Sequence, residues 1–213
     1  MKTDDLLFML ATGADPVDAR APLRRYLIAV GCSTLVAILV MAMWLGVRPT
    51  LTGDLDLPMF WIKEIFCVAL VAGSLVAVTR LARPGVTLAR VPAWLAAPLL
   101  AMWGLAMTDL LAASPGSRTA LTLGTSWMVC PYYIAMLSAP IFVAIVWAMK
   151  GLAPTRLRLA GAAAGFASGA IGALVYTLHC PELAAPFLGI WYVLGILIPT
   201  AVGALLGPRL LRW

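Results

Sequence analysis

The chain of 213 residues is 63% hydrophobic and 11% charged, with a mean hydropathy of +0.99, whereas a soluble domain is about 45–50% apolar and about 25% charged. This excludes a soluble globular protein and a disordered one; at roughly 20 apolar residues per span the length holds about six spans and no sizeable soluble domain. The net charge of +6 would point to nucleic acid in a soluble chain, but in a membrane protein it is read first as topology.

Residues 1–25 form an N-terminal segment that opens on a short amphipathic helix, Thr3 to Ala11. Thr3 can cap it, Asp4 and Asp5 suit its first turn, and Leu6, Leu7 and Leu10 make one apolar face before Gly13 and Pro16 end it. So short a helix is marginal alone in water and needs a surface for that face. The membrane or the bundle is one such surface; a basic, grooved protein partner is the other, since anionic lipid repels Asp4 and Asp5.

Residues 26–213 then read as six apolar helices: Tyr26 to Gly46, Met59 to Thr79, Val91 to Thr108, Tyr132 to Met149, Leu159 to Leu178, and Glu182 to Leu206. The first is not a cleavable signal, because it starts behind four aspartates, is long for an h-region and lacks a small-x-small site. With the N-terminus in the cytoplasm, only Arg48, Lys63 and Arg118 of the 15 Lys and Arg lie outside, a decisive positive-inside bias. The expected class is therefore all-α and polytopic, with both termini cytoplasmic and the +6 explained by topology and anionic lipid, without direct nucleic-acid binding. Trp44, Trp61, Trp127, Trp191 and Tyr192 fall near outer ends of spans, and Trp147 near an inner one. Gly161 to Gly165 and Gly169 to Gly172 put a close-packing face on the fifth span. No span carries a charge near its centre, which disfavours a pump or ion-coupled transporter.

Of the four cysteines, Cys32 and Cys67 fall inside spans and read as packing residues. Cys130 and Cys180 fall at the outer ends of the fourth and sixth spans, each before a proline. If Pro131 and Pro181 are first helical residues, each cysteine is an N-cap, and the positive end of the helix lowers its thiol pKa. Such a pair could be a static disulfide, a redox pair, a soft-metal site with His179 and Glu182 or Asp109, or two unrelated interfacial thiols. A quinone-linked membrane thiol oxidoreductase is the alternative in the enzyme class, weakened by the lack of a Cys-x-x-Cys, and a small metal or oxyanion transporter is a third reading.

Several words along the chain resemble the NrsF family, negative regulators of sigma F: Met1 to Leu6, Gly46-Val47-Arg48-Pro49, Phe60-Trp61-Ile62-Lys63, Ser126 to Pro131, His179-Cys180-Pro181-Glu182, Pro186-Phe187 and Trp191-Tyr192. The resemblance covers essentially the whole chain. It implies a non-enzymatic anti-sigma factor of the bacterial inner membrane with six spans, whose partner is a cytoplasmic extracytoplasmic-function sigma factor. By the same resemblance, the N-terminal segment, here Asp4, Asp5, Leu6, Leu7 and Leu10, sequesters the sigma factor. The periplasmic Cys130 and Cys180 sense heavy-metal or oxidative stress and cause release. No resident cofactor is expected; a transient soft metal ion such as cadmium or zinc at Cys130, Cys180 and His179 is.

Overall fold

A computed structural model describes residues 3–5, 21–83 and 85–212, and among these every regular element is helical. Helix α1 (Ala21–Val40) runs on through a π-helical turn, Met41–Leu45; a short α2 (Leu51–Asp54) precedes α3 (Pro58–Leu81) and α4 (Val91–Ala112). After α5 (Pro115–Leu123) come α6 (Cys130–Lys150), α7 (Leu157–Tyr176), α8 (Ala185–Phe187) with a π-helical turn at Leu188–Tyr192, and α9 (Val193–Leu210). Six stretches are long and apolar enough to cross a membrane: Leu23–Leu45, Pro58–Leu81, Val91–Ala112, Cys130–Lys150, Leu157–Tyr176 and Ala185–Leu210. The sequence reading finds all six, with ends that differ by a few residues. As helices they pair most of their backbone groups within the segment, as hydrocarbon demands, although Pro98, Pro140, Pro199 and Pro208 inside them lack an N–H to donate. Large apolar side chains such as Leu27, Leu35, Val143 and Leu205 stay exposed on the outside of the bundle.

Helix α7 is the axis of the bundle. It is the most deeply buried span and packs against α9, α6 and α3. Its small residues make this possible: a Cβ on Gly161 would run into the Gly203 carbonyl, and one on Gly165 into the Pro199 carbonyl. The close-packing face expected from the glycine and alanine runs is thus the α7–α9 contact, where backbones meet directly. Around this pair, α1 packs on α6, α3 on α4, and α4 on α8.

Prolines occupy the first turns of α3, α4, α5, α6 and α8, where the missing N–H costs nothing. Pro181 is not among them. The sixth span begins at Ala185, with Pro186 in its first turn, so the start expected at Glu182 is corrected by three residues. Arg25, near the start of α1, donates through Nη2 to the Trp147 carbonyl at 2.8 Å and lies 3.9 Å over the Trp147 ring. The start of α1 therefore sits at the end of the bundle opposite Cys130, which opens α6. Asp4 and Asp5 are helical and exposed, whereas Leu6, Leu7 and Leu10 lie outside the described residues.

Gly203→Val tests the central contact. Overpacking costs about 1–3 kcal/mol when side chains can give way, and here the obstacle is backbone, so a loss of about 3 kcal/mol or more is expected in thermal unfolding in mild detergent. Gly31→Ala, where an added Cβ meets nothing within 4 Å, should stay within about 0.5 kcal/mol.

Candidate functional site: two buried thiols beside a loop held by buried cations

The site grows from the end of α7. Past Tyr176 the chain makes one more turn, with the N–H groups of His179 and Cys180 both donating to the Tyr176 carbonyl at 3.0 Å. It then runs without regular structure to Ala184. The last carbonyls of α7 are met by the N–H groups of that turn, whereas the carbonyls of Leu178, Cys180 and Glu182 beyond it need partners from elsewhere in the chain. Arg48 and Lys63 supply them. The Arg48 backbone N–H donates to the Leu178 carbonyl at 3.1 Å, and its Nη1 donates to the Cys180 carbonyl at 2.7 Å. Lys63 Nζ donates to that same Cys180 carbonyl at 2.8 Å and to the Glu182 carbonyl at 3.1 Å.

Each cation is delivered by local chain geometry. Gly46 has a φ of +77°, a left-handed turn open to glycine that redirects the chain after the first π turn toward Arg48. The Gly46 carbonyl accepts a 2.9 Å hydrogen bond from His179 Nδ1. Arg48 is completed by Asp54 of α2, whose carboxylate lies 3.2 Å from Nη1, and by the Phe60 ring 5.5 Å away. Lys63 sits in the second turn of α3, fully buried, with the Tyr192 ring centroid 5.2 Å from Nζ.

A second clamp joins the loop before α6 to the same stretch. Glu182 Oε1 accepts from both the backbone N–H and the hydroxyl of Thr125 at 2.7 Å. The carboxylate fills the space beside Gly124, whose φ is +54° and where any Cβ would come within 2.7 Å of it. Just beyond, the Cys130 N–H donates to the Ser126 carbonyl at 2.9 Å and opens α6.

These clamps bring the two thiols together. Cys130 and Cys180 are both unbridged and have no exposed surface. The neighbouring Cys130 thiol is the main influence holding Cys180 below the ordinary thiol range. Burial opposes it, while the Lys63 ammonium, the Tyr192 hydroxyl and the Glu182 N–H support it. Cys180 is accordingly the sulfur that carries charge first.

Two sequence expectations are corrected. Cys130 is the first residue of α6, with Val129 in the cap position, so it does sit at a positive helix end. Cys180 does not: it follows the C-terminal end of α7, and Pro181 starts no helix because Lys63 and Thr125 hold the residues after it in the connecting loop. Its charge is favoured by the Cys130 thiol and by Lys63, against the helix dipole. Nor do the thiols face outward; both are enclosed.

His179 turns to Gly46 and sits edge-on to Tyr133, ring centroids 6.3 Å apart. Among the described residues no three His, Cys, Asp or Glu side chains gather as a metal-holding group. Cys67 is buried, close enough to Lys63 and Cys180 for their charges to act on it, whereas Cys32 is exposed on α1. Sequence reasoning missed Lys63 and Arg48 as site residues, counting them as outside charges. The signal was present: a lysine inside an apolar run, after the helix-opening Pro58, must be partnered.

The family described as "Negative regulator of sigma F", NrsF, matches residues 10–213. A protein of Azospira oryzae named probable anti-sigma-F factor NrsF is 54% identical over 213 residues, covering all of both chains. The anti-sigma-F factor NrsF of Caulobacter vibrioides is 39% identical over 216 residues, again covering all of both chains. No solved structure matches. The chain belongs to the NrsF family, and that membership implies a regulatory role.

The thiol geometry gives a titration test. A hydrogen bond to an ionised group is worth about 1.5–3 kcal/mol, or about one to two pH units. Cys130→Ala should raise the pH at which Cys180 ionises by that amount, read as ultraviolet thiolate absorbance against a Cys180→Ser blank. Because the native value is depressed, the thiolate's contribution to stability is full above the unfolded thiol value and fades as pH falls through the native one. An unchanged titration would remove Cys130 as the donor.

Proposed function

We propose that this member of the NrsF family is a membrane-bound anti-sigma factor of the bacterial inner membrane, with both termini in the cytoplasm. Its partner is an extracytoplasmic-function sigma factor, sequestered by the N-terminal segment through Asp4, Asp5, Leu6, Leu7 and Leu10. Heavy-metal or oxidative stress in the periplasm acts on Cys130 and Cys180 and releases the sigma factor. The observation that carries this reading is the pair itself: two free, buried thiols close enough to act on each other at one end of the bundle. The N-terminal segment enters α1 at the opposite end.

The chemistry suits such a sensor. A charged Cys180 beside a protonated Cys130 has a nucleophile and a resolving thiol already in contact. A thiophilic cation such as cadmium or zinc would be held first by the two sulfurs, with His179 joining after it lets go of Gly46. Joining the sulfurs draws the start of α6 against the loop that follows α7. Coupling of a few kcal/mol is sufficient, since about 1.4 kcal/mol changes affinity tenfold. The acidic and apolar residues of the N-terminal segment suit a basic groove on the partner.

Two experiments test the two ends. A Cys130→Ser, Cys180→Ser protein should still retain the sigma factor at the membrane but no longer release it on treatment with cadmium or a thiol oxidant; a normal response sinks the sensor assignment. Asp4→Lys with Asp5→Lys, or Leu6→Asp with Leu10→Asp, should reduce co-purification of the sigma factor by at least about tenfold while the bundle keeps its melting behaviour. Unchanged co-purification takes the N-terminal helix out of the mechanism.

A further inference from the structure

Lys63 ties the thiol loop to α3. Its ammonium is fully buried and donates to the carbonyls of Cys180 and Glu182 at 2.8 and 3.1 Å. Arg48 shares the Cys180 carbonyl and anchors the same loop to the segment around Asp54. A buried ammonium cannot go without acceptors, so these carbonyls cannot move away from α3 unless Lys63, and the helix that carries it, follows.

We propose that Lys63 is the positioning residue that couples the thiol pair to the second span. Joining Cys130 and Cys180 displaces the carbonyls of residues 180 and 182, and Lys63 passes that displacement into α3. The helix has 24 residues, about 36 Å of rigid rod. Its far end is built in: Leu81 and the following Ala82 are buried, and Arg80 Nη1 holds the carbonyls of Thr87 and Leu88 at 3.3 Å. Helix α9 is a poorer route, because its backbone is locked against α7 at Gly161 and Gly203. The coupling rests on the reading of Cys130 and Cys180 as the sensor, and adds that the signal leaves by α3.

The test uses membranes holding the full chain, in a Cys32→Ser background, with its sigma factor. The probe is diamide, whose N=N bond takes both thiol hydrogens and leaves a Cys130–Cys180 disulfide and a hydrazine. Disulfide is read by mass spectrometry and sigma retention by sedimentation. With Lys63 present, crosslinking releases the sigma factor. In Lys63→Gln and Lys63→Met the disulfide should still form to completion, but the ratio of release in oxidised and reduced membranes should fall about tenfold toward one. Lys63→Arg should restore part of it. A Lys63→Gln protein that crosslinks and releases normally overturns the coupling alone. A protein with Lys63 that crosslinks without release overturns the sensor reading and the coupling with it. Should both neutral variants fail to fold, amide exchange decides on the unsubstituted chain: crosslinking should change exchange in the first two turns of α3 several-fold, and unchanged exchange there overturns the proposal.

Discussion

The architecture depends on one requirement, that the carbonyls of the buried loop after α7 be satisfied where water is scarce. The last carbonyls of α7 are met by the next turn of the chain, but those of Cys180 and Glu182 lie beyond that turn, and an unpaired buried polar group costs about 1–3 kcal/mol. Arg48 and Lys63 meet that requirement together on the Cys180 carbonyl, and Lys63 reaches the Glu182 carbonyl as well. The arrangement binds both sides equally. Removing one partner of a buried charge costs about 3–5 kcal/mol, so the loop holds the cations as firmly as the cations hold the loop. The Gly46 turn, Asp54, Gly124 and the Glu182 carboxylate all serve to keep these groups in register.

One of these cations also bears on the charge of Cys180. From helix ends alone, Cys130 at the start of α6 would be the thiolate, and Cys180 at the end of α7 would be the thiol. Cys180 is nonetheless held below the ordinary thiol range, because it has the Cys130 thiol, the nearby Lys63 ammonium and its own chain's Glu182 N–H beside it. Lys63, which holds the loop, thus also favours charge on the sulfur within it.

Much of the fold was legible because its determinants are local. Uncharged runs set the six spans, and the small residues of Gly161 to Gly172 announced the close contact of α7 with α9. The thiol site was legible only in part. Cys130 and Cys180 stood out by their prolines, and they do meet. What Pro181 does was not readable, because a proline after a helix end and a proline at a helix start look alike until the following residues are known to be held by Lys63 and Thr125. Arg48 and Lys63 were hidden for a related reason. Sorting charges by side treats each as a free surface group, whereas these two are defined by carbonyls more than a hundred residues away in the chain. The family words at Gly46 to Pro49, Phe60 to Lys63, Ser126 to Pro131 and His179 to Glu182 carried that information as a set, since their residues converge on this one end of the bundle.

The two kinds of contact in the bundle imply a division between what is fixed and what can move. Where backbone meets backbone, as at Gly161 with Gly203 and Gly165 with Pro199, there is no side chain to rearrange, and packed interiors shift between discrete arrangements rather than deform smoothly. Helices α7 and α9 therefore behave as one body. Helix α3 meets that body at the thiol end through Lys63 and the loop carbonyls it holds, whereas α6 also touches α7 by backbone, at Gly172 against Ile134 and Ser138, and adds the Cys130 thiol and the Thr125–Glu182 clamp. Such contacts can exchange partners without opening the core. A change in the bonding of the two sulfurs thus acts on the boundary between a backbone-packed group of helices and α3, where a small displacement exchanges hydrogen-bond partners without separating backbones.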